Sequence, residues 1–316
     1  MYEKFYGLKR PPFSLLPDPE FLYPARKHAM ALTLLKYSLM SKHSITVITG
    51  EVGSGKTTLL NRLLDEVSEH YTVGMINFTE RHMSQLWPWV MQSFDLPFEN
   101  RGATAMYDDF VRFIEGEASE RRTTVLIVDE AQNLGPKALE SLRMMSNVNA
   151  RSTMLQLVLV GQPEFRETLK RKDLRQLNQR VATFYSLEPF TLAETVGYID
   201  HRMQVAGGRS GTFTAGAAYL IWRASEGIPR RINTLCDLAL VYGYSSAQET
   251  INVPLAAEML AERQDLAVQT AADAQDEPHW DEEREQDNLR GLDEHDDDAS
   301  RASLKVIGHS PRHSRE

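Results

Sequence analysis

The stretch GEVGSGKTT, residues 50–58, separates the apolar run ITVIT (45–49) from LLNRLLDEV (59–67). The first run predicts a buried strand and the second a helix, yet three glycines stand between them. Glycine weakens strands and helices alike, so this spacing indicates a requirement beyond secondary structure.

The stretch matches the pattern G-x-x-x-x-G-K-[ST] through Gly50, Gly55, Lys56 and Thr57. Glycines let successive backbone N–H groups turn inward around phosphate oxygens, and the following helix adds its N-terminal dipole. Lys56 then reaches the β and γ phosphates of ATP, and Thr57 binds Mg²⁺. We therefore predict that the whole loop binds nucleotide: Gly50, Glu51, Val52, Gly53, Ser54, Gly55, Lys56, Thr57 and Thr58.

A pair of carboxylates follows another apolar run, in TTVLIVDEAQ (123–132). Asp129 and Glu130 come at the carboxyl end of this predicted strand, where open α/β sheets bind their ligands. We expect Asp129 to help hold Mg²⁺ and Glu130 to polarise the attacking water. A carboxylate in that place indicates hydrolysis rather than nucleotide binding alone.

Two further polar residues complete the predicted site. Gln162 ends the apolar run LQLVLVG (155–161), and its amide can orient water or sense the γ phosphate. Arg230, in SEGIPRRIN, opens a predicted helix of a second domain and can reach the nucleotide across a cleft, whereas Arg231 faces elsewhere.

The order of apolar runs predicts the fold. Five continuous runs, at 44–50, 72–78, 123–130, 155–161 and 183–190, are typical of parallel strands covered on both faces. Helical patterns at 57–69, 83–94, 106–118, 136–147 and 164–178 alternate with them, which favours an open α/β sheet. Four helical patterns within 191–264 predict a small all-helical domain, with Thr191 and Glu194 forming a capping box.

Charge is concentrated at the C-terminal end. Residues 271–298 hold 13 Asp and Glu against two Arg, whereas residues 1–270 are nearly neutral. We predict an α/β domain over 1–190 with an N-terminal strap, a helical lid over 191–264, and a disordered acidic tail over 265–316. No apolar run is long enough to cross a membrane, and the single cysteine, Cys236, excludes an internal disulfide, so we expect a cytoplasmic protein. Cys236 and the tryptophans of LWPWV (86–90) are interpreted as core residues, with a contact surface as the alternative for the tryptophans.

Together these motifs resemble the AAA+ ATPases, in which a P-loop, an Asp-Glu Walker B pair, a polar sensor and a Gly-x-x-Arg lid motif follow one another. More narrowly, FYGLKRPPFSLLPDPEFLYPARKHAMALTLLKYSL, GEVGSGKTTLLNRLL, VLIVDEAQNL and GIPRRIN resemble the family of general secretion pathway protein A, which includes pilus-biogenesis and exosortase-locus ATPases. The resemblance covers about residues 1–264.

The resemblance implies further roles. Residues 5–24 would lie by the adenine, with Phe21, Leu22 and Tyr23 as apolar cover or, equally, as a strap over the core. A homo-oligomer, for instance a hexamer, would place Arg180 in the neighbouring subunit's site, with Arg175 as the reserve. Asn77 would restrain the catalytic carboxylate.

The resemblance also bears on partners. Longer family members continue into a membrane span and a peptidoglycan-binding domain, where this chain has an acidic tail. We therefore expect a short cytoplasmic relative, recruited to the inner membrane by a protein partner of a secretion, pilus or exopolysaccharide/exosortase system. The alternatives are an ATP-dependent DNA-binding switch of the transposition-helper or loader type, supported by the basic stretch 166–180, and a non-catalytic scaffold.

Overall fold

The computed structural model describes residues 1–16, 18–66, 70–77, 85–150 and 155–273. Residues 274–316, which hold most of the predicted acidic tail, lie outside these described residues, whereas residues 265–273 of that tail are helical rather than disordered. None of the described helices is both long and apolar enough to cross a bilayer.

Five strands form one parallel sheet, which confirms the predicted α/β class. They are β1 (Ile45–Gly50), β2 (Tyr71–Asn77), β3 (Thr123–Asp129), β4 (Leu155–Gly161) and β5 (Val181–Leu187), in the order β2-β3-β4-β1-β5. β1 and β4 are buried throughout, since their continuous apolar sequences are covered on both faces. All five carboxyl ends therefore meet at one edge of the sheet.

Helices cover both faces of the sheet. They are α1 (Arg26–Met40), α2 (Lys56–Glu66), α3 (Trp87–Ser93), α4 (Ala103–Ser119), α5 (Pro136–Ser146), α6 (Pro163–Leu169) and α7 (Arg175–Asn178). Leu126 and Val128 of β3 pack into one apolar cluster, and Val125 and Ile127 into the other, as the period of two in a strand requires. Trp87 is buried in the first cluster, which confirms its interpretation as a core residue.

The predicted helix over 164–178 is divided in the structure. α6 ends at Leu169, Arg171 is extended with φ −59° and ψ 146°, and a short 3₁₀ turn leads into α7. In one straight helix of about 3.6 residues per turn, Leu174 would point roughly opposite Phe165. The break reorients Leu174, so that the side chains of Phe165 and Leu174 pack in the same core cluster.

The second, helical unit follows β5. It consists of α8 (Leu192–Val205), α9 (Ala215–Ser225), α10 (Pro229–Ser245) and α11 (Val253–Asp273), so the predicted boundary at 264 falls within the last helix. Thr191 and Glu194 form the predicted capping box at the start of α8. Cys236 is fully buried in the core of this lid, as predicted.

The N-terminal strap packs on the lid rather than on the sheet. Tyr2, Tyr6, Leu8, Phe13 and Phe21 all belong to the lid's apolar cluster. Phe13 packs edge-to-face on Phe213 at 5.8 Å, and the Lys9 N–H donates to the Ala206 carbonyl at 2.8 Å. This differs from the expected grouping of the strap with residues 1–190, because the strap's aromatic side chains fill gaps between lid helices that are distant in sequence.

The segment between β5 and the lid is fixed by one close backbone approach. The Phe190 N–H donates to the Gly227 carbonyl at 2.9 Å, and the Trp222 indole Nε1 donates to the Phe190 carbonyl at 3.1 Å. Gly227 has φ +71°, and a Cβ added to it would lie 2.2 Å from the Phe190 oxygen. Only glycine fits there, and it sets the start of α10.

We predict that Gly227→Ala destabilises the chain much more than Gly7→Ala. Gly7 has nearly the same φ, +70°, but an added Cβ would meet nothing within 4 Å. Both variants incur the left-handed backbone cost of about 1–2 kcal/mol. The clash at Gly227 adds roughly 1–3 kcal/mol. Urea unfolding of the two variants measures the difference, and equal losses of unfolding free energy would contradict this close approach.

Candidate functional site

A cavity of about 410 Å³ lies between the carboxyl edge of the sheet, the start of α2, the strap and the lid. Most of the predicted loop residues line it: Val52, Gly53, Gly55, Lys56, Thr57 and Thr58. Gly50, Glu51 and Ser54 belong to the same turn and are not among the lining residues.

The loop has the geometry that its glycines predict. β1 ends at Gly50, and α2 begins at Lys56. Gly53 and Gly55 have φ of +82° and +96°, in the left-handed region that glycine adopts without strain. A Cβ on Gly50 would lie 2.8 Å from Ser54 Oγ, so the turn is also too tight for a side chain there. The result is an anion-binding turn at a helix N-terminus.

Lys56 places a buried ammonium group within this turn. Its Nζ donates to the carbonyls of Gly50 and Glu51 at 2.7 and 2.9 Å. Burial lowers the pKa of Lys56, and the carboxylates of Glu130 and Asp129 oppose that shift. Phosphate oxygens can replace these carbonyl contacts with stronger charge-assisted hydrogen bonds.

Thr57 and Asp129 form the oxygen pair expected of a Mg²⁺ site. Thr57 Oγ1 donates to Asp129 Oδ2 at 3.1 Å, and the Glu130 N–H donates to Asp129 Oδ1 at 2.9 Å. Asp129 is 4% exposed, and burial raises the pKa of its carboxyl. A hydroxyl beside a carboxylate fits a hard cation that takes its remaining ligands from water and phosphate.

Glu130 lies at the cavity with its carboxylate held by two amides. Its backbone is left-handed, with φ 53° and ψ 39°. Gln162 Nε2 donates to Glu130 Oε2 at 3.2 Å, so the structure brings these two predicted residues together. Gln132 Nε2 donates to the same oxygen.

Gln132 is a site residue that sequence reasoning missed. Its Oε1 accepts the Gln162 backbone N–H at 2.9 Å, so it bridges the ends of β3 and β4. The signal was available in VDEAQ, where a glutamine stands two residues after the acidic pair. Asn77, by contrast, pairs in register with Asp129 and is exposed at the end of β2. Among the described residues, the amides of Gln132 and Gln162 hold Glu130.

Arg230 comes to the cavity through direct packing of the lid on the loop. Its backbone N–H donates to the Gly53 carbonyl at 3.1 Å, and a Cβ on Gly53 would lie 2.4 Å from Arg230 Cβ. Arg231 faces elsewhere, as predicted, and pairs with Glu226. Arg180 is exposed just before β5, where its Nη1 donates to the Ser146 carbonyl at 2.8 Å. It is not among the residues that line this cavity.

The strap supplies apolar side chains to the end of the cavity away from the loop. Phe21, Leu22 and Tyr23 line it, and Phe21 also belongs to the lid core, so this segment serves as both strap and cavity wall. The guanidinium groups of Arg10 and Arg202 lie 4.4 and 4.6 Å from the centroid of the Phe21 ring. Phe21 is only 5% exposed, so the partly exposed side chains of Leu22 and Tyr23 provide the apolar surface that suits a nucleobase.

His28 is a second residue that sequence reasoning missed. It lies in the first turn of α1, is 6% exposed, and donates through Nε2 to the Ser54 carbonyl at 2.8 Å. The hydrogen bond keeps that carbonyl turned toward α1. Burial lowers the pKa of His28, so its neutral form is favoured. A lone histidine in an otherwise ordinary helix gave no pattern from which this contact could be predicted.

Comparison with known proteins shows what this chain is similar to. A family model described as an AAA domain matches residues 39–169. General secretion pathway protein A of Aeromonas hydrophila is 37% identical over 257 residues, which is 79% of this chain and 46% of that protein. The chain thus spans less than half the length of this relative. The match and the P-loop fold are those of nucleotide hydrolases.

Solved structures show the same fold at low sequence identity. The ORC2 protein of Aeropyrum pernix, in ADPNP–ADP complexes, has a TM-score of 0.60 at 18% identity and covers 80% of this chain and 72% of its own. Drosophila ORC bound to DNA has a TM-score of 0.62 at 16% identity, with 80% and 64% covered. A Walker-type ATPase of Pyrococcus abyssi has a TM-score of 0.56 at 15% identity, with 84% and 79% covered.

We predict that His28→Gln flattens the dependence of stability on pH between pH 7 and 5. The folded state lowers the pKa of His28 below its ordinary value of 6.5, so the unfolded chain binds more protons as the pH falls through that value. The wild type should lose up to about 1.4 kcal/mol of unfolding free energy per pH unit relative to the variant. Glutamine keeps a donor for the Ser54 carbonyl but does not titrate. If urea unfolding showed the unfolding free energies of the wild type and the variant changing in parallel with pH across this range, the lowered pKa of His28 would be contradicted.

Proposed function

The chain belongs to the AAA+ family and is related to general secretion pathway protein A, and on that basis we propose that it is an ATPase that hydrolyses MgATP. The observation that carries the proposal is the placement of the Glu130 carboxylate. Two amides hold it beside Asp129, which is buried and accepts a hydrogen bond from Thr57, in a cavity that also contains the Lys56 ammonium.

The chain's own groups account for the chemistry. Lys56 and Arg230 neutralise charge that develops on the transferred phosphoryl oxygens. Glu130 accepts a hydrogen bond from the attacking water and aligns it with the γ phosphorus, while Gln132 and Gln162 fix the carboxylate. Thr57 and Asp129 would hold Mg²⁺, which supplies further positive charge on the phosphates when it is bound.

We further propose that hydrolysis drives assembly or remodelling of a protein partner in a secretion, pilus or exopolysaccharide/exosortase system. The relationship to general secretion pathway protein A supports this role, although the chain corresponds to only 46% of that protein. The proposed location is the cytoplasm, with recruitment to the inner membrane by the partner.

The proposal includes a homo-oligomer in which Arg180 completes the site of a neighbouring subunit. Its exposure and its position at the end of the sheet, away from its own cavity, support a role in trans. A neighbour's guanidinium would make turnover depend on assembly.

A DNA-binding switch is the second candidate, because Lys172 and Arg175 are exposed on the basic segment before β5. Exposed cations can follow a phosphate backbone, and such binding weakens steeply with salt. Retention of DNA by the purified protein at about 50 mM salt and its loss at about 200 mM would favour this candidate. The absence of retention at either concentration would exclude it.

We predict that Glu130→Gln abolishes turnover and preserves ATP binding. The amide keeps the size of the side chain but no longer polarises water, which should lower the rate of phosphate release by roughly 10²–10⁴-fold. Calorimetric titration of the same protein should give nearly the wild-type ATP affinity.

The control for this variant is Glu167→Gln, which removes an exposed carboxylate on α6 that pairs with Lys170. It should hydrolyse ATP at the wild-type rate. Normal turnover by Glu130→Gln would remove the catalytic assignment. Binding without turnover by the wild type, even at high protein concentration, would favour a scaffold that uses ATP only to assemble.

We predict that Arg180→Ala lowers turnover by roughly 10³-fold, and that mixing it with Glu130→Gln restores part of the activity. In a mixed assembly the Arg180→Ala subunit supplies Glu130, and the Glu130→Gln subunit supplies Arg180 to the same site. Arg171→Ala, which removes an exposed arginine paired with Asp173, is the control and should remain active. Failure of the mixture to recover activity would contradict a role in trans.

A further inference from the structure

Three polar side chains of the lid form a connected network at the apolar end of the cavity. Arg202 Nη1 donates to the Tyr198 hydroxyl at 2.8 Å, and that hydroxyl in turn bonds to Asn233 Oδ1 at 2.8 Å. Arg202 and Tyr198 come from α8 and Asn233 from α10, and all three line the cavity.

The network fixes the direction of every hydrogen bond in it. A guanidinium group can only donate, so the Tyr198 oxygen must be the acceptor from Arg202. The single phenolic proton is then free for Asn233, and the asparagine atom that it meets in the structure is the carbonyl oxygen Oδ1. Burial raises the pKa of Tyr198, which keeps that proton in place.

Arg202 is itself immobilised by the strap. Its Nε donates to the Pro12 carbonyl at 2.5 Å and its Nη2 to the Ser14 carbonyl at 3.2 Å. The side chain is 6% exposed and packs over the Phe21 ring. The guanidinium therefore cannot turn away, and the order of donors and acceptors that begins with it is preserved.

The consequence is a fixed hydrogen-bond donor at the cavity wall. With Oδ1 committed to Tyr198, Asn233 keeps two N–H groups on Nδ2, and no partner for them occurs among the described residues. The side chain is 6% exposed and lines the cavity. Because Nδ2 is reached from the cavity rather than sealed in the core, it can donate to a bound ligand that provides an acceptor.

The position of Asn233 indicates which part of a nucleotide would provide it. Asn233 lies three residues after Arg230 on α10, about 4.5 Å further along the helix axis. Arg230 packs on the phosphate loop, whereas Asn233 stands beside Tyr198, at the end that Phe21 also lines. Phosphates held by the loop would therefore leave the base next to Asn233.

We propose that Asn233 Nδ2 donates a hydrogen bond to an unprotonated ring nitrogen of the purine base, with Tyr198 and Arg202 as positioning residues. This rests on the proposed function, because it assumes that the cavity binds a nucleotide. Base recognition then comes from the lid and the strap together, since Arg202 connects the strap carbonyls to the asparagine.

The test compares the affinities of the full chain for ADP and for its 1-deaza, 3-deaza and 7-deaza analogues by calorimetry. Each analogue replaces one ring nitrogen by C–H and so removes one acceptor. The wild type should bind one of the three about five- to tenfold more weakly than ADP, as expected for one neutral hydrogen bond. Asn233→Ala should bind ADP more weakly than the wild type by about the same factor. It should bind ADP and that analogue with equal affinity.

Two further variants separate recognition from a loss of structure. Asn233→Asp keeps an oxygen for Tyr198 but presents an acceptor to the base, so it should bind ADP more weakly than Asn233→Ala. Tyr198→Phe frees the amide to rotate, and it should reduce discrimination among the analogues while the phosphate loop still binds ADP. Thermal unfolding without nucleotide checks that each variant is folded.

The outcomes also separate this inference from the proposed function. A wild-type chain that binds no ADP or ATP would contradict the proposed function itself. A wild type that binds ADP, together with an Asn233→Ala variant that keeps the wild-type pattern among the analogues, would overturn only the role of Asn233. If Asn233→Ala instead lost the difference in affinity between ADP and 2′-deoxy-ADP, the donor would contact the ribose, and the proposal would be wrong.

Discussion

The Lys56 ammonium is buried at the junction of β1 and α2, and much of the surrounding structure serves to keep it charged. Two loop carbonyls accept hydrogen bonds from it at 2.7 and 2.9 Å, and the carboxylates of Asp129 and Glu130 lie close enough to oppose the effect of burial on its pKa. A buried cation of this kind is stable only while acceptors surround it. The loop glycines allow the tight turn around this group, because a side chain at Gly50 or Gly53 would collide with Ser54 or Arg230.

The absence of a side chain at Gly53 in the loop also allows the lid to pack against the sheet domain. Arg230 can pack on Gly53 because the loop has no side chain there, and Gly227 sets the start of α10 by its close approach to Phe190. The strap extends this contact, since its aromatic residues lie in the lid core and its carbonyls bind Arg202. The loop therefore contacts α10 directly, and α10 shares an apolar core with the strap.

Much of this could be predicted from the sequence, because the signals are local. The five strands follow from continuous apolar runs, the anion-binding turn from the spacing of Gly50, Gly55 and Lys56, and the acidic pair from its place after β3. The features that were missed depend on contacts between distant residues. His28 meets Ser54, Gln132 bridges two strands, and the strap joins helices almost 200 residues away, as in the Arg202 contact with Pro12 across 190 positions. The division of the helix after α6 was missed for a related reason, since it depends on which core cluster Leu174 must reach.

The central claim is that a magnesium nucleotide is bound between the Lys56 loop and the paired carboxylates of Asp129 and Glu130. Calorimetric titration of magnesium ATP into the concentrated wild-type chain and into Lys56→Ala tests it most directly. We expect saturable heat with one nucleotide per chain for the wild type and none for the variant, with both proteins folded by circular dichroism. A folded wild-type chain that gives no heat, or a variant that binds as tightly as the wild type, would contradict the account.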